Sequence, residues 1–177
     1  MKIPIFYLKK HTTMNIEDFP LPGPSKITEA MLFRIIWNIR SRKSFLTGIW
    51  LRSIQPGHPL WYNQFAHVLP KGQNKYPYMR FYLRNICLLT PGEHALYDQG
   101  TAEARIKYSQ EVEEASKGKI TADWGKIDAL AEELKEEYRK HFPTRRGLII
   151  GYRYSLDEVQ KIIGALNKKY IEELRGQ

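Results

Sequence analysis

Four side chains between residues 67 and 98 have the types and spacing for hydrolytic chemistry: His67, Asn85, His94 and Asp98. A histidine exchanges protons near neutral pH and can deprotonate a water. A carboxamide can hold an imidazole or a stretch of backbone in one orientation. A histidine and an aspartate one helical turn apart point the same way, and can share a divalent cation or simply a hydrogen bond. Asn85 follows His67 by 18 residues and His94 follows Asn85 by nine. Each residue also has a plain structural role open to it. His67 precedes Val68-Leu69, the setting of a partly buried, hydrogen-bonded ring, and Asn85 fits a turn or strand end. His11 and His141 have no evident partners, and His58, between Gly57 and Pro59, reads as a loop residue. Cys87, the one cysteine, lies in an apolar run and reads as core rather than nucleophile.

The elements that must position these residues follow from patterning. The proline-dense segment 19–25 reads as a linker closing an N-terminal arm, 1–24. Ser25 is then the expected cap of a helix over 26–39, with Ile27, Met31, Ile35 and Ile39 on its buried face. Apolar residues on both sides of Thr47-Gly48 predict two short strands around a tight turn. Residues 60–69 and 78–89 read as strands, joined by the polar loop that carries Lys71 and Lys75. Thr90, Pro91 and Glu93 form a capping-box start for a short helix, which puts His94 and Asp98 on one face. The rest reads as mostly helical. A charged stretch spans 102–117, and a helix spans 122–140 with Trp124, Ile127, Leu130, Leu134 and Tyr138 inward. A strand is expected over 147–154, and Ser155 and Glu158 box the start of a helix running to 174. The expected fold class is therefore α+β. A central module at 25–101 is flanked by the arm and by a mostly helical extension, 102–177.

Charge narrows the partners. The net charge is +9, and residues 1–60 hold nine Lys/Arg against three Asp/Glu. Such a field draws polyanions, chiefly nucleic acid, although it also serves plain solubility. Lys71, Lys75, Arg80 and Arg84 flank the proposed site, and Arg42 and Lys43 follow the first helix; all six are candidate phosphate contacts. A hydrophobic share of 42% argues for a packed globule, and one cysteine rules out an internal disulfide or a cysteine-rich zinc site. No apolar run has the length of a membrane span, and the N-terminus lacks the pattern of a leader peptide, so a cytoplasmic protein with no membrane partner is expected.

The motifs His67-Val68-Leu69-Pro70, Asn85-Ile86-Cys87-Leu88-Leu89 and His94 occur in the order and at spacings compatible with HNH endonucleases. The paired stretches AHVLPKG and NICLLTPGEHALYDQGT resemble a phage-type branch of that family without zinc-knuckle cysteines. The resemblance covers roughly residues 45–101. It implies a ββα-metal module in which two strands and a helix grip one divalent ion. By the same resemblance His67 is the general base, Asn85 orients it, and His94 is a metal ligand. The implied activity is hydrolysis of DNA phosphodiester bonds, by nicking or cutting, in phage or mobile-element DNA processing. Mg²⁺ or Mn²⁺ is expected, with Zn²⁺ or Ni²⁺ as alternatives. The pattern is broken at two places. Ala66 stands where many members carry an Asp or His ligand, so Asp98 is the preferred replacement, ahead of His58 and Glu93. Thr90 and Glu93 stand where a cysteine pair would be, and Thr47-Gly48 marks the turn of the other. Packing by Trp50, Trp61, Phe65 and Phe81 is expected to take over the stabilising role of the lost zinc. The rival reading is a non-catalytic nucleic-acid-binding or assembly protein that keeps the fold.

Overall fold

The computed structural model describes residues 28–70, 76–143 and 154–176. The arm at 1–24, the Ser25 cap, Lys71 and Lys75 lie outside them, as does the strand expected over 147–154 apart from Tyr154, which is in no regular element. The elements run α1 (Glu29–Ile39), α2 (Pro59–Tyr62), β1 (Phe65–His67), two 3₁₀ turns (Met79–Phe81 and Leu83–Asn85), β2 (Ile86–Leu88), α3 (Pro91–Gln99), α4 (Ala102–Ala115), α5 (Gly125–His141) and α6 (Leu156–Arg175). The fold is α+β and rich in helix. Its described strands form one antiparallel pair, with Phe65 opposite Leu88, Ala66 opposite Cys87 and His67 opposite Ile86.

Alternation along this small sheet divides the core in two. Phe65, Ile86 and Leu88 point into a cluster built on α1, with Phe33, Trp37 and Trp61. Ala66, Val68, Cys87 and Leu89 point the other way, into a cluster completed by Ile127 and Leu134 of α5 and Val159 and Ile163 of α6. The C-terminal helices thus share the interior of the central segment.

α1 is capped by Thr28, whose hydroxyl accepts from the Met31 N–H at 3.3 Å. Of the expected stripe, Ile35 is inside and Ile39 packs partly buried against the same cluster, Met31 is 37% exposed and Ile27 lies outside the described residues; the buried face is wider than that stripe and also takes in Leu32, Phe33, Ile36 and Trp37. Phe33 and Trp37 also lie four residues apart, and their larger area widens the inward face beyond the Ile35–Ile39 row. Around Thr47-Gly48 the chain makes a tight turn, with Gly48 at φ +70°. One bridge, Lys43 to Trp50, replaces the two expected strands. The expected strand at 60–69 shortens to β1 because His58 caps and Pro59 opens a single helical turn; the His58 Nδ1 accepts from the Leu60 N–H at 3.1 Å.

The expected strand at 78–89 survives only as β2, and distant side chains explain why. Asn167 of α6 accepts from the Leu83 N–H at 2.8 Å and donates to the Phe81 carbonyl at 3.1 Å. Arg40 donates to the carbonyls of Leu83, at 2.8 Å, and Ile86. With backbone groups satisfied this way, the segment needs no strand partner and coils into 3₁₀ turns.

The capping boxes at Thr90/Glu93 and Ser155/Glu158 form as expected, and α5 buries its Ile127–Leu134 stripe. α4 buries no side chain; Arg105 secures it by donating to the carbonyls of Leu96 and Tyr97 at 3.2 and 2.9 Å. Among the described residues no helix is long and apolar enough to cross a membrane.

Burial pushes the Cys87 thiol from 9.0 up to about 12, and burial likewise pushes the Tyr97 and Tyr138 hydroxyls up to about 12. These groups ionise earlier in the unfolded chain than in the native one. Their contribution to stability is therefore complete below about pH 8.5 and is lost as pH rises toward 12. Denaturation curves from pH 7 to 11 are expected to show stability falling through that window, with native Cys87 unreactive to alkylating agents until the protein unfolds. Labelling of the native thiol at pH 8 would contradict this.

Candidate functional site

His67 ends β1 and has the same orientation as Phe65, so its ring turns toward α1, with its centroid 6.1 Å from that of Phe33. The residue is half-buried, and both ring nitrogens are shielded from solvent. Ala66 faces the opposite cluster and is fully buried. A ligand at that position would point into apolar packing, so the residue before His67 does not serve the site.

Asn85 is fully buried, and its carboxamide is spent on backbone. Its Oδ1 accepts from the Leu69 N–H at 2.7 Å, and its Nδ2 donates to the carbonyls of Leu69 and Met79 at 3.2 and 3.1 Å. The Val68 N–H donates to the Asn85 carbonyl at 2.8 Å. Asn85 therefore fixes the chain directly after His67, the backbone alternative of its expected role. Tyr97 of α3, which sequence reasoning missed, adds a third restraint by donating its hydroxyl to the Val68 carbonyl at 2.7 Å. Its place three residues after His94, one turn along the same helix, was the available signal.

α3 brings His94 and Asp98 together, with Nε2 3.2 Å from the Asp98 Oδ2. The other ring nitrogen, Nδ1, lies 2.9 Å from the Asn63 carbonyl. A carbonyl can only accept, so Nδ1 carries a proton and Nε2 is left to meet the carboxylate. A second proton or a divalent cation on Nε2 satisfies that contact; two bare lone pairs would repel. Asn63 is four residues before His67, no more than about 14 Å of extended chain. Among the described residues, no group of three or more His, Cys, Asp and Glu side chains gathers around one point. His94 and Asp98 thus offer one nitrogen and one carboxylate. That set suits a loosely held ion completed by water and phosphate oxygens, as Mg²⁺ and Mn²⁺ are commonly bound.

The two weaker ligand candidates are otherwise employed. His58 caps α2. Glu93 is fully buried, and its carboxylate accepts from the Ser44 hydroxyl at 2.7 Å, the Thr47 hydroxyl at 2.8 Å and the Thr90 N–H at 2.7 Å. The Ser44 hydroxyl in turn accepts from the N–H groups of Leu46 and Thr47. Two short turns, 44–47 and 90–93, are knotted together in this way. This knot, and not aromatic packing through Trp50, makes the expected join, since Trp50 is 68% exposed. Trp61 and Phe65 do pack inside, and Phe81 is partly buried. Glu93→Gln keeps the shape, and its amide oxygen can still accept from the Thr90 N–H and the Ser44 hydroxyl, but it loses the charge and sets its amide group against the Thr47 hydroxyl, which must stop donating there. It is expected to cost about 1–2 kcal/mol in urea denaturation, and an unchanged midpoint would show that the knot adds nothing.

The basic residues divide. Arg84 is paired with Glu133 and, at 3.7 Å, Glu137 of α5, so its charge is largely answered within the fold. The Arg80 guanidinium lies 4.8 Å from the Phe81 ring centroid. Arg42 stacks on Trp37 at 5.0 Å and Lys43 on Trp50 at 4.9 Å. Among the described residues no ion pair engages Arg34, Arg42, Lys43 or Arg52. In comparisons with protein-family models, curated proteins and solved structures, the chain matches none.

Proposed function

We propose that the chain is a divalent-metal-dependent endonuclease of the HNH kind, acting on DNA, with β1, β2 and α3 as its ββα-metal module. The setting of His94 carries this reading. A backbone carbonyl holds Nδ1 as donor and aims Nε2 at a carboxylate one helical turn away. Metal-binding histidines are commonly oriented in this manner, with the second nitrogen fixed by an outer partner. Held by His94 and Asp98, a divalent ion would supply Lewis-acid stabilisation of the scissile phosphate. His67 takes the proton of the attacking water through a ring nitrogen, which substrate or a shift of its cover must expose. Asn85 and Tyr97 hold the chain that carries His67, and Arg42 and Lys43, which no ion pair engages among the described residues, would contact phosphates.

The test is plasmid nicking in Mg²⁺, Mn²⁺, Ni²⁺ and EDTA. Cleavage in at least one metal and none in EDTA is expected. Salt-sensitive binding without cleavage in any metal would instead support the non-catalytic reading, which the shielded His67 nitrogens and Ala66 favour.

A further inference from the structure

Trp50 is the most exposed large apolar side chain among the described residues, at 68%, and it lies in the most one-sidedly basic stretch of them. Between residues 28 and 60 the chain carries Arg34, Arg40, Arg42, Lys43 and Arg52 against one carboxylate, Glu29. Arg40 is committed to the carbonyls of Leu83 and Ile86. The other four cations enter no ion pair among the described residues.

The indole is held rather than loose. Lys43 and Trp50 face each other as a bridge across the turn, the Ser44 N–H donates to the Ile49 carbonyl at 2.8 Å, and the Leu51 N–H donates to the Arg42 carbonyl at 2.8 Å. The Lys43 ammonium sits 4.9 Å from the ring centroid. On one side of Trp50, Leu51 is buried in the α1 cluster, and the Phe45 N–H donates to the Leu88 carbonyl of β2 at 2.8 Å, tying the turn to the sheet. A large flat ring is thus kept in water by a braced turn, with a cation at its face. Burying it would have stabilised the fold, and the turn is not built to allow that. The nearby Arg42–Trp37 stack differs, because Trp37 is only 5% exposed and its ring is core.

We propose that Trp50 is a stacking platform for an unpaired nucleobase, with Lys43, Arg42 and Arg52 contacting the phosphates on either side of it. The ligand class is single-stranded nucleic acid, or the unpaired part of a branched or frayed duplex. An aromatic face among cations accepts any base through its π-face and reads little sequence, while the cations make binding salt-dependent. Because the turn is already rigid, little conformational freedom is lost on binding. The inference rests on the nucleic-acid side of the proposed function and is independent of the cleavage step.

The test is done in EDTA with a short oligothymidylate and, separately, a duplex of comparable length. Trp37 and Trp61 are buried and Trp124 is partly so, hence quenching of tryptophan emission reports chiefly on Trp50. Saturable quenching by the single strand is expected, weakening as salt rises. Trp50→Leu should weaken single-strand binding roughly 5- to 100-fold by fluorescence anisotropy, with less than about a two-fold change for the duplex. Trp50→Phe should recover much of the loss. Circular dichroism should be unchanged in both variants, since the side chain stands in solvent. Equal affinities of wild type and Trp50→Leu for the single strand would overturn the proposal, as would binding without quenching, equal losses on both nucleic acids, or no binding by wild type. No turnover is needed, so a protein that fails to nick plasmid still answers this test, and a negative result leaves nicking by way of His67 standing.

Discussion

Replacing His67 by alanine is expected to lower metal-dependent plasmid nicking by roughly 100- to 10,000-fold, the range that removal of a positioned general base produces. The loss should fall on turnover rather than on binding. His67 carries no net charge when it acts as a base, and the proposed phosphate contacts are those of Arg42 and Lys43. Salt-dependent DNA affinity in EDTA is therefore expected to stay within about two-fold of wild type. Stability should change modestly. The ring is half-buried and packs against Phe33, so its truncation removes part of one aromatic contact without opening the centre of the core. His67→Gln separates the chemistry from the packing: it restores bulk and polarity but cannot accept a proton near neutral pH. Nicking by that variant at wild-type rate would remove His67 from the mechanism, and the His94–Asp98 pair would then have to act with a different base.

Asn85→Ala is expected to destabilise the fold by about 3 kcal/mol, more than Glu93→Gln. Three hydrogen bonds are lost, and the Leu69 N–H and two carbonyls remain in a site without solvent. Asn85→Asp provides a sharper test. An aspartate can still accept from the Leu69 N–H, but it has nothing to donate to the Leu69 and Met79 carbonyls, and its charge is buried against their oxygens. That variant should be as unstable as the alanine at pH 7. Its native-state carboxyl pKa is raised above the unfolded value, so stability should return in part as pH is lowered toward 5 and the group protonates. Urea denaturation at both pH values measures this. A loss under about 1 kcal/mol for Asn85→Ala would mean that the loop after His67 is held mainly by Tyr97 and the Val68 N–H.

What could be read from the amino-acid order follows the range of the interactions. Helix starts are local, and so Thr90-Pro91-Gly92-Glu93 and Ser155–Glu158 announce themselves within four residues, as does the apolar stripe of α5. The pairing of His94 with Asp98 is equally local, one turn of one helix. The conformation of 78–85 is not, because its backbone is satisfied by Asn167 and Arg40, some eighty residues later and forty earlier. The aromatic run there promises a strand, and the helix packed across it overrides that preference. The inner face of α1 is wider than its expected stripe for a related reason. The partner surface, Trp61 and Phe65, adds the row with Phe33 and Trp37 to that with Ile35 and Ile39. The contact of His94 with Asn63 involves a main-chain oxygen, for which side-chain identity carries no signal.

The knot of Ser44, Thr47, Thr90 and Glu93 bears on how such a protein fares when ions are scarce. Where a bound metal makes the join between two turns, losing the metal means losing the fold. In this chain hydroxyls and a carboxylate make it, from parts that come with translation and need no delivery or particular redox poise. Assembly and ion supply are thereby separated. Under the metal-dependent activity proposed above, a cell starved of divalent cations would hold a stock of intact, idle molecules, ready to act as soon as the ions return.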